Sequence, residues 1–154
     1  KVNGKNIAVV NLIGRVDMNV LSDNPFIIAK ELVEKLQNQV DIIIIDFHAE
    51  ATAEKIALGY YLDGKVTAIY GTHTHVQTAD ETILEKGTGY ITDIGMTGPK
   101  KSVIGMDVSA SIKRFETTLP ERYKIATGEC IFNAVILDID EKTNKVRNIQ
   151  RINI

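Results

Sequence analysis

Residues 41–47 constrain the fold more than any other part of the sequence. They read DIIIIDF, with four consecutive isoleucines and no polar alternation. A strand that shows one face to water alternates apolar and polar residues, whereas a strand covered on both faces is apolar throughout. The sequence therefore predicts a central strand here, with other layers of the protein packed on both of its faces.

Two more strands are predicted on either side of it, at residues 6–13 and 66–70, where short apolar runs are rich in β-branched residues. A helix is predicted between each pair of strands. The first helix spans residues 25–37 and begins at a proline that follows two good capping residues. The second spans residues 53–62. The order strand, helix, strand, helix, strand is typical of βαβ units around a parallel sheet.

The caps of both helices can be assigned from residue type. Asp23 or Asn24 is predicted to cap the first helix, and Thr52 the second, because their side-chain oxygens can accept a hydrogen bond from a free backbone N–H. Glu54 then places an acidic group in the first turn of the second helix, where the helix dipole favours it.

The alternation of predicted strands and helices ends at about Gly71. Residues 82–84 and 89–92 predict a short hairpin, and Val108–Thr117 predicts a short helix. Three antiparallel strands are then predicted at residues 122–127, 129–138 and 145–152.

Composition argues against two classes of partner and favours a reducing compartment. The net charge of −2 gives no basic surface for nucleic acid or for a membrane, and no apolar run approaches the roughly 20 residues of a membrane span. The single cysteine, Cys130, lies in an apolar run and is predicted to be buried in a strand. One cysteine cannot form an internal disulfide, so we expect a cytoplasmic protein.

All three histidines follow predicted buried strands. His48 comes directly after residues 41–47, and His73 and His75 come shortly after residues 66–70. Binding sites in α/β proteins lie at the carboxyl ends of parallel strands. Imidazole is the commonest metal ligand and suits iron, manganese and zinc. The sequence therefore predicts a metal site formed by these three side chains.

The spacing leaves the number of metal ions open. His73 and His75 point to the same side if the backbone between them is extended. On a glycine-led loop they diverge toward two metal ions about 3.5–4 Å apart, an arrangement that clamps the attacking and leaving oxygens of a phosphoryl transfer. Three nitrogens alone would equally suit a mononuclear zinc site with one open position.

Polar residues near the histidines have two interpretations each. Asp46 either holds an imidazole in place or is a hydrogen-bonded acid at a strand end. Glu50 is either an outer-shell partner of the metal site or a charge at a helix N-terminus. Asp93 is either an acid of the site or a turn residue. The glycine-rich loop after it, with Thr97 and Gly98, could present backbone amides and a hydroxyl to a phosphate.

Three blocks of sequence resemble the YmdB-like family of calcineurin-type metallophosphoesterases. They are DFHAEAT at residues 46–52, GTHTHVQT at 71–78 and DIGMTG at 93–98. The resemblance implies an α/β fold that is part of a calcineurin-like αββα sandwich, with βαβαβ followed by mainly antiparallel strands. It also implies two divalent metal ions, iron or manganese with zinc as a further candidate, and phosphodiesterase activity on cyclic nucleotides such as 2′,3′-cyclic AMP.

Residue by residue, the resemblance matches His48 and His73 to ligands of one metal ion and His75 to a ligand of the other. The family's earlier blocks, D-x-V-G, G-E-N and G-N-H, do not occur in this sequence. They supply further metal ligands and the catalytic histidine, so no catalytic residue is assigned within this chain.

We therefore expect this chain to be the C-terminal part of a single metallophosphoesterase domain. Its partner would be the N-terminal half of the same enzyme, and by itself it would bind metal weakly and turn over little substrate. Uncovered strand edges would favour self-association into a homo-oligomer. The alternative is a non-catalytic binding module that retains a partial metal site.

Overall fold

A five-stranded sheet with four parallel strands forms the centre of the protein. The computed structural model describes residues 1–154. The strands lie in the order β1-β2-β3-β5-β4, and only β4 runs antiparallel to its neighbour. Their bounds are β1 (Ile7–Ile13), β2 (Ile42–His48), β3 (Ala68–Thr72), β4 (Thr82–Ile83) and β5 (Gly89–Ile91). The predicted parallel core and the hairpin beside it are both confirmed.

Two helices make the crossovers between the first three strands. Helix α1 (Pro25–Leu36) joins β1 to β2, and helix α2 (Thr52–Leu62) joins β2 to β3. The side chain of Asn24 caps α1 by accepting a hydrogen bond from the backbone N–H of Phe26 at 3.0 Å. No helix in the chain is both long enough and apolar enough to cross a membrane.

The cap predicted for α2 is wrong. Thr52 already lies inside the helix, and the N-cap position is occupied by Ala51, which has no side-chain group to donate or accept. Glu54 lies in the first turn of α2 as predicted, and its carboxylate also accepts hydrogen bonds from the backbone N–H groups of Arg15 and Val16. The acid therefore ties α2 to the segment that follows β1.

The main core lies between the two helices and one face of the sheet. Ile45 and Phe47 of β2 are fully buried there, as are Leu58 and Leu62 of α2. The opposite face of β2 is only partly covered from Ile44 onward. The prediction that both faces of this strand are buried therefore holds for one face and fails for the carboxyl half of the other.

The C-terminal part consists of a third helix and two short antiparallel pairs. Helix α3 (Val108–Thr117) has the predicted bounds. The pairs are β6 (Gly98–Pro99) with β7 (Cys130–Ile131), and β8 (Asn133–Ile139) with β9 (Val146–Asn153). The β8–β9 hairpin packs on the central sheet, where Leu137 and Val146 lie against Gly89. The α/β fold class with following antiparallel strands is confirmed.

Two predictions for this part are wrong. Residues 122–127 do not form a strand, because only Ile125 makes an isolated bridge, to Met106. Cys130 is exposed rather than buried. Its strand, β7, pairs only with the two-residue β6 at the periphery and not with the central sheet, so the apolar run around it does not enter the main core.

We expect Gly71→Ala to destabilise the protein strongly. A Cβ at this position in β3 would lie 1.7 Å from the backbone carbonyl oxygen of Thr92, and backbone cannot move away as a flexible side chain can. The loss should reach or exceed the upper end of the roughly 1–3 kcal/mol typical of overpacking. Urea denaturation measures it, with Gly98→Ala as the control, since the nearest atom there is 3.6 Å away. Equal unfolding midpoints would contradict this explanation.

Candidate metal centre

The parallel pairing of β2 and β3 builds the site at the carboxyl end of the sheet. In this register Asp46 lies opposite Tyr70, and His48 lies opposite Thr72. His48 is the last residue of β2, not the first residue after it, and Thr72 is the last residue of β3. His73 then follows at the same edge, so adjacent strand ends bring two of the three histidines together.

A chain of hydrogen bonds orients the ring of His48. The hydroxyl of Thr72 donates to the Oδ1 atom of Asp46 at 2.8 Å. Its oxygen lies 3.1 Å from Nδ1 of His48. Because the single hydroxyl proton is given to Asp46, the oxygen must accept from Nδ1–H. The hydrogen-bond network therefore assigns the tautomer in which Nε2 of His48 has a free lone pair.

Glu50 orients His73 in a similar way. The Oε2 atom of Glu50 lies 3.1 Å from Nε2 of His73, and both side chains are partly exposed. Donation of the Nε2 proton to this carboxylate leaves Nδ1 of His73 with a free lone pair. Of the two interpretations of Glu50, contact with an imidazole is the one the geometry favours.

The two free nitrogens face each other. Nε2 of His48 and Nδ1 of His73 are 3.0 Å apart, and the rings meet edge to face at 85°. Two imidazole nitrogens bound side by side to one metal ion at about 2.0–2.1 Å would be separated by about 2.9–3.4 Å. In these neutral tautomers the two lone pairs repel each other unless a proton or a metal ion lies between them. The residues present therefore fit a shared metal ion.

His75 is separate from this pair. It is exposed, and its Nδ1 atom lies 3.3 Å from the carbonyl oxygen of Ile104. The backbone φ is 101° at His73 and 68° at His75, so the segment is not extended. Of the two alternatives for the H-x-H motif, the structure has the loop in which the side chains diverge. Within residues 1–154, no three His, Cys, Asp or Glu side chains converge closely enough to form a metal site.

Asp93 lies beneath this loop and is buried, with 1% of its surface exposed. Its Oδ1 atom accepts from the N–H of Gly95 at 2.8 Å, as the turn interpretation predicts. Its Oδ2 atom accepts from Nζ of Lys55 at 2.9 Å. Burial raises the pKa of Asp93, but the hydrogen bonds from Thr74, Lys55 and Gly95 outweigh it, so the pKa lies below its usual value.

Lys55 is a buried residue that could not be identified from the sequence. A lysine in the first turn of a helix is normally solvated, and its partner Asp93 lies 38 residues further along the chain. The neighbouring residues of the helix contain no signal of this pairing. Only the tertiary fold shows that α2 delivers the ammonium group to the underside of the histidine loop.

The predicted phosphate loop lies near His75 but makes few contacts. Thr97 is exposed, and its hydroxyl is 3.5 Å from the carbonyl oxygen of Asn133. Gly98 pairs with Ile131 in the β6–β7 ladder. A cavity of about 350 Å³ is lined by His75, Met96 and Asn133 among others, and neither Thr97 nor Gly98 belongs to its lining.

The parallel sheet with polar groups at its carboxyl end defines an α/β fold of the kind found in phosphatases. Two crystal structures superimpose on the whole chain, each with a TM-score of 0.92. One is a novel phosphatase from Mycoplasma pneumoniae, 41% identical, of which the match covers 55%. The other is a protein from Thermus thermophilus that is described as hypothetical, 40% identical, of which the match covers 59%.

The sequence comparisons identify the family. The model of the YmdB-like protein family matches residues 1–152, and the chain belongs to this family. It is 53% identical over 152 residues to a 2′,3′-cyclic-nucleotide 2′-phosphodiesterase of Bacillus subtilis, and 42% identical over 154 residues to a putative phosphatase/phosphodiesterase of Mycoplasma pneumoniae. The chain spans about half the length of these relatives, 57% and 54% respectively.

We expect the stabilising effect of Asp93 to depend on pH. A carboxyl group whose pKa is lowered by folding contributes stability above its unfolded pKa of about 3.9, and this is lost as the pH falls through the folded value. Asp93→Asn should therefore cost about 3–5 kcal/mol at pH 6, as expected for a broken buried pair, and less below pH 4.

Chemical denaturation of the wild type and of Asp93→Asn between pH 3 and pH 6 measures this difference. Glu129→Gln is the matched control, because Glu129 forms an exposed ion pair with Lys100 and should change stability little. A difference between wild type and Asp93→Asn that stays constant with pH would rule out the ionised state of Asp93 as its cause.

Proposed function

We propose that the protein is a metal-dependent phosphodiesterase that hydrolyses cyclic nucleotides such as 2′,3′-cyclic AMP. The observation that carries this proposal is the pair of imidazole nitrogens, 3.0 Å apart, whose opposite nitrogens are bound to Thr72 and Glu50. The substrate class is inferred from the Bacillus subtilis relative, which is named for this reaction.

The proposal assigns His48 and His73 to one divalent metal ion and His75 to a second. Iron and manganese are the first candidates and zinc the next, because imidazole suits all three. Divalent ions in such a site polarise phosphoryl oxygens and lower the pKa of bound water. Three imidazoles cannot complete two metal shells, so the proposal places the remaining ligands and the acid that protonates the leaving oxygen outside residues 1–154.

The residues of this chain have distinct roles in the proposal. Asp46 acts through Thr72 to fix the ring of His48, and Glu50 fixes the ring of His73. In the neutral ring, each contact places the proton on the nitrogen that faces its hydrogen-bond partner, so that the other nitrogen is available as a metal ligand. Thr97 and Gly98 are assigned to the substrate side, where the loop amides and hydroxyl would contact the phosphate.

We expect His73→Ala and His75→Ala to lose metal and activity. Removing a direct ligand should cost more than the roughly 10–100-fold that loss of an outer-shell partner costs. Elemental analysis of the purified full-length protein and turnover of 2′,3′-cyclic AMP provide the two measurements. Val76→Ala is the control, since Val76 is an exposed apolar residue next to His75. Full metal occupancy with normal turnover in both histidine variants would exclude these ligand assignments.

We expect Thr97→Ala to raise KM for the cyclic nucleotide more than it lowers metal content. Thr97 is exposed on the loop near His75, and its hydroxyl has the carbonyl oxygen of Asn133 as its hydrogen-bond partner rather than a histidine. Steady-state kinetics beside metal analysis separate substrate contact from metal binding. Thr127→Ala, at another exposed threonine, is the control. Unchanged KM would remove Thr97 from the substrate site.

A further inference from the structure

The segment that presents two of the histidines has an unfavourable backbone conformation. His73 and His75 both have positive φ, at 101° and 68°. Residues with a Cβ rarely adopt this region, and they persist there only where the surrounding structure holds them. Thr74 lies between them, so contacts that fix Thr74 constrain the backbone on both sides of it.

Asp93 holds Thr74 through two hydrogen bonds to one oxygen. The hydroxyl of Thr74 donates to Oδ2 of Asp93 at 2.7 Å, and its backbone N–H donates to the same atom at 3.1 Å. Hydrogen bonds to a charged acceptor are stronger than those between neutral groups. The backbone between the two histidines is therefore attached to a carboxylate.

The carboxylate itself is fixed from several sides. Lys55 donates to the same Oδ2 atom at 2.9 Å, and both side chains are 1% exposed. The backbone N–H of Asp93 donates to the hydroxyl of Thr78, and Oδ1 accepts from Gly95. Because both side chains are almost fully buried, water screens the charges of this ion pair only weakly.

We propose that Lys55, Asp93 and Thr74 are positioning residues that hold His73 and His75 in the conformation that binds metal. The inference deepens the proposed function and rests on it, because it concerns the same metal ligands. None of the three residues touches metal or substrate in this assignment. A purely structural role predicts instead that they affect folding stability and leave metal affinity unchanged in the folded protein.

Thr74→Val is the informative variant. It removes the hydroxyl donor but keeps the side-chain shape and the backbone N–H, so the fold should survive. Thr74→Ser keeps the hydroxyl and should restore the wild-type behaviour. Thr88→Val is the matched control for stability, because Thr88 is fully buried and its hydroxyl donates to Val66 at 2.8 Å, at the amino end of β5, away from the histidines.

Two measurements on the purified full-length protein test the proposal. Calorimetric titration of the metal-free protein with Mn²⁺ gives metal affinity, and hydrogen exchange of the amides of residues 73–75 without metal gives the rigidity of the loop. We expect Thr74→Val to weaken Mn²⁺ binding by about 10–100-fold and to speed exchange in the loop. Thr74→Ser and Thr88→Val should match the wild type in both.

The outcomes separate this inference from the proposed function. If wild type binds Mn²⁺ and Thr74→Val binds it equally well, or if Thr88→Val loses as much affinity, the positioning role is wrong. If wild type binds no Mn²⁺ while Thr74→Val still speeds loop exchange, Asp93 holds the loop through Thr74 but the metal site does not exist. Weaker Mn²⁺ binding and faster amide exchange that are confined to Thr74→Val support both the positioning role and the proposed metal site.

Discussion

Five pairs of residues join β2 to β3 in parallel, from Ile44 opposite Ala68 to His48 opposite Thr72. Side chains alternate between the two faces of a strand, so a shift of one residue would move every side chain to the other face. Such a shift would turn Ile45 and Phe47 away from the core and turn His48 into it. The buried apolar face therefore fixes the register, and the register places Thr72 beside the ring of His48.

The same alternation explains how a buried strand can carry a polar site. One face of β2 contributes Ile45 and Phe47, which are fully buried against the helices. Stabilisation of this face, on the order of 2 kcal/mol for each large apolar side chain, does not depend on the residues between them. Asp46 and His48 can therefore be polar and half-buried on the opposite face without loss of the strand.

Elements with strong local sequence signals were predicted correctly, whereas burial that depends on contacts between distant segments was not. The run of isoleucines and the cap at Asn24 predicted β2 and α1, because period and capping are local properties. The same run gave no indication that the two faces of β2 differ in burial. Ile42 and Ile44 are apolar although they lie on the face that carries Asp46. Cys130 was misassigned because its burial depends on which strand its neighbours pair with, and the short β6 could not be foreseen.

The histidines of the candidate site could be identified from the sequence, but their hydrogen-bond partners could not. Three histidines at two strand ends are visible in the sequence, whereas the roles of Thr72 and Lys55 depend on pairings made across the fold. Thr72 belongs to the GTHTHVQT block, but the block does not show that its hydroxyl contacts Asp46 and His48, and Lys55 belongs to no recognised motif.

The ion pair of Lys55 and Asp93 lies buried beneath the histidine loop, and the contacts of Thr74 give a reason for a charged pair at this place. A buried ion pair is often no more stabilising than apolar residues of the same volume. An apolar replacement for Asp93, however, would leave the hydroxyl and N–H of Thr74 without acceptors. Two positive-φ residues cost about 1–3 kcal/mol each, and hydrogen bonds to a charged group contribute about 1.5–3 kcal/mol each. These magnitudes are comparable, so the hydrogen bonds to Asp93 can offset the strain and the loop can keep its conformation without any ligand.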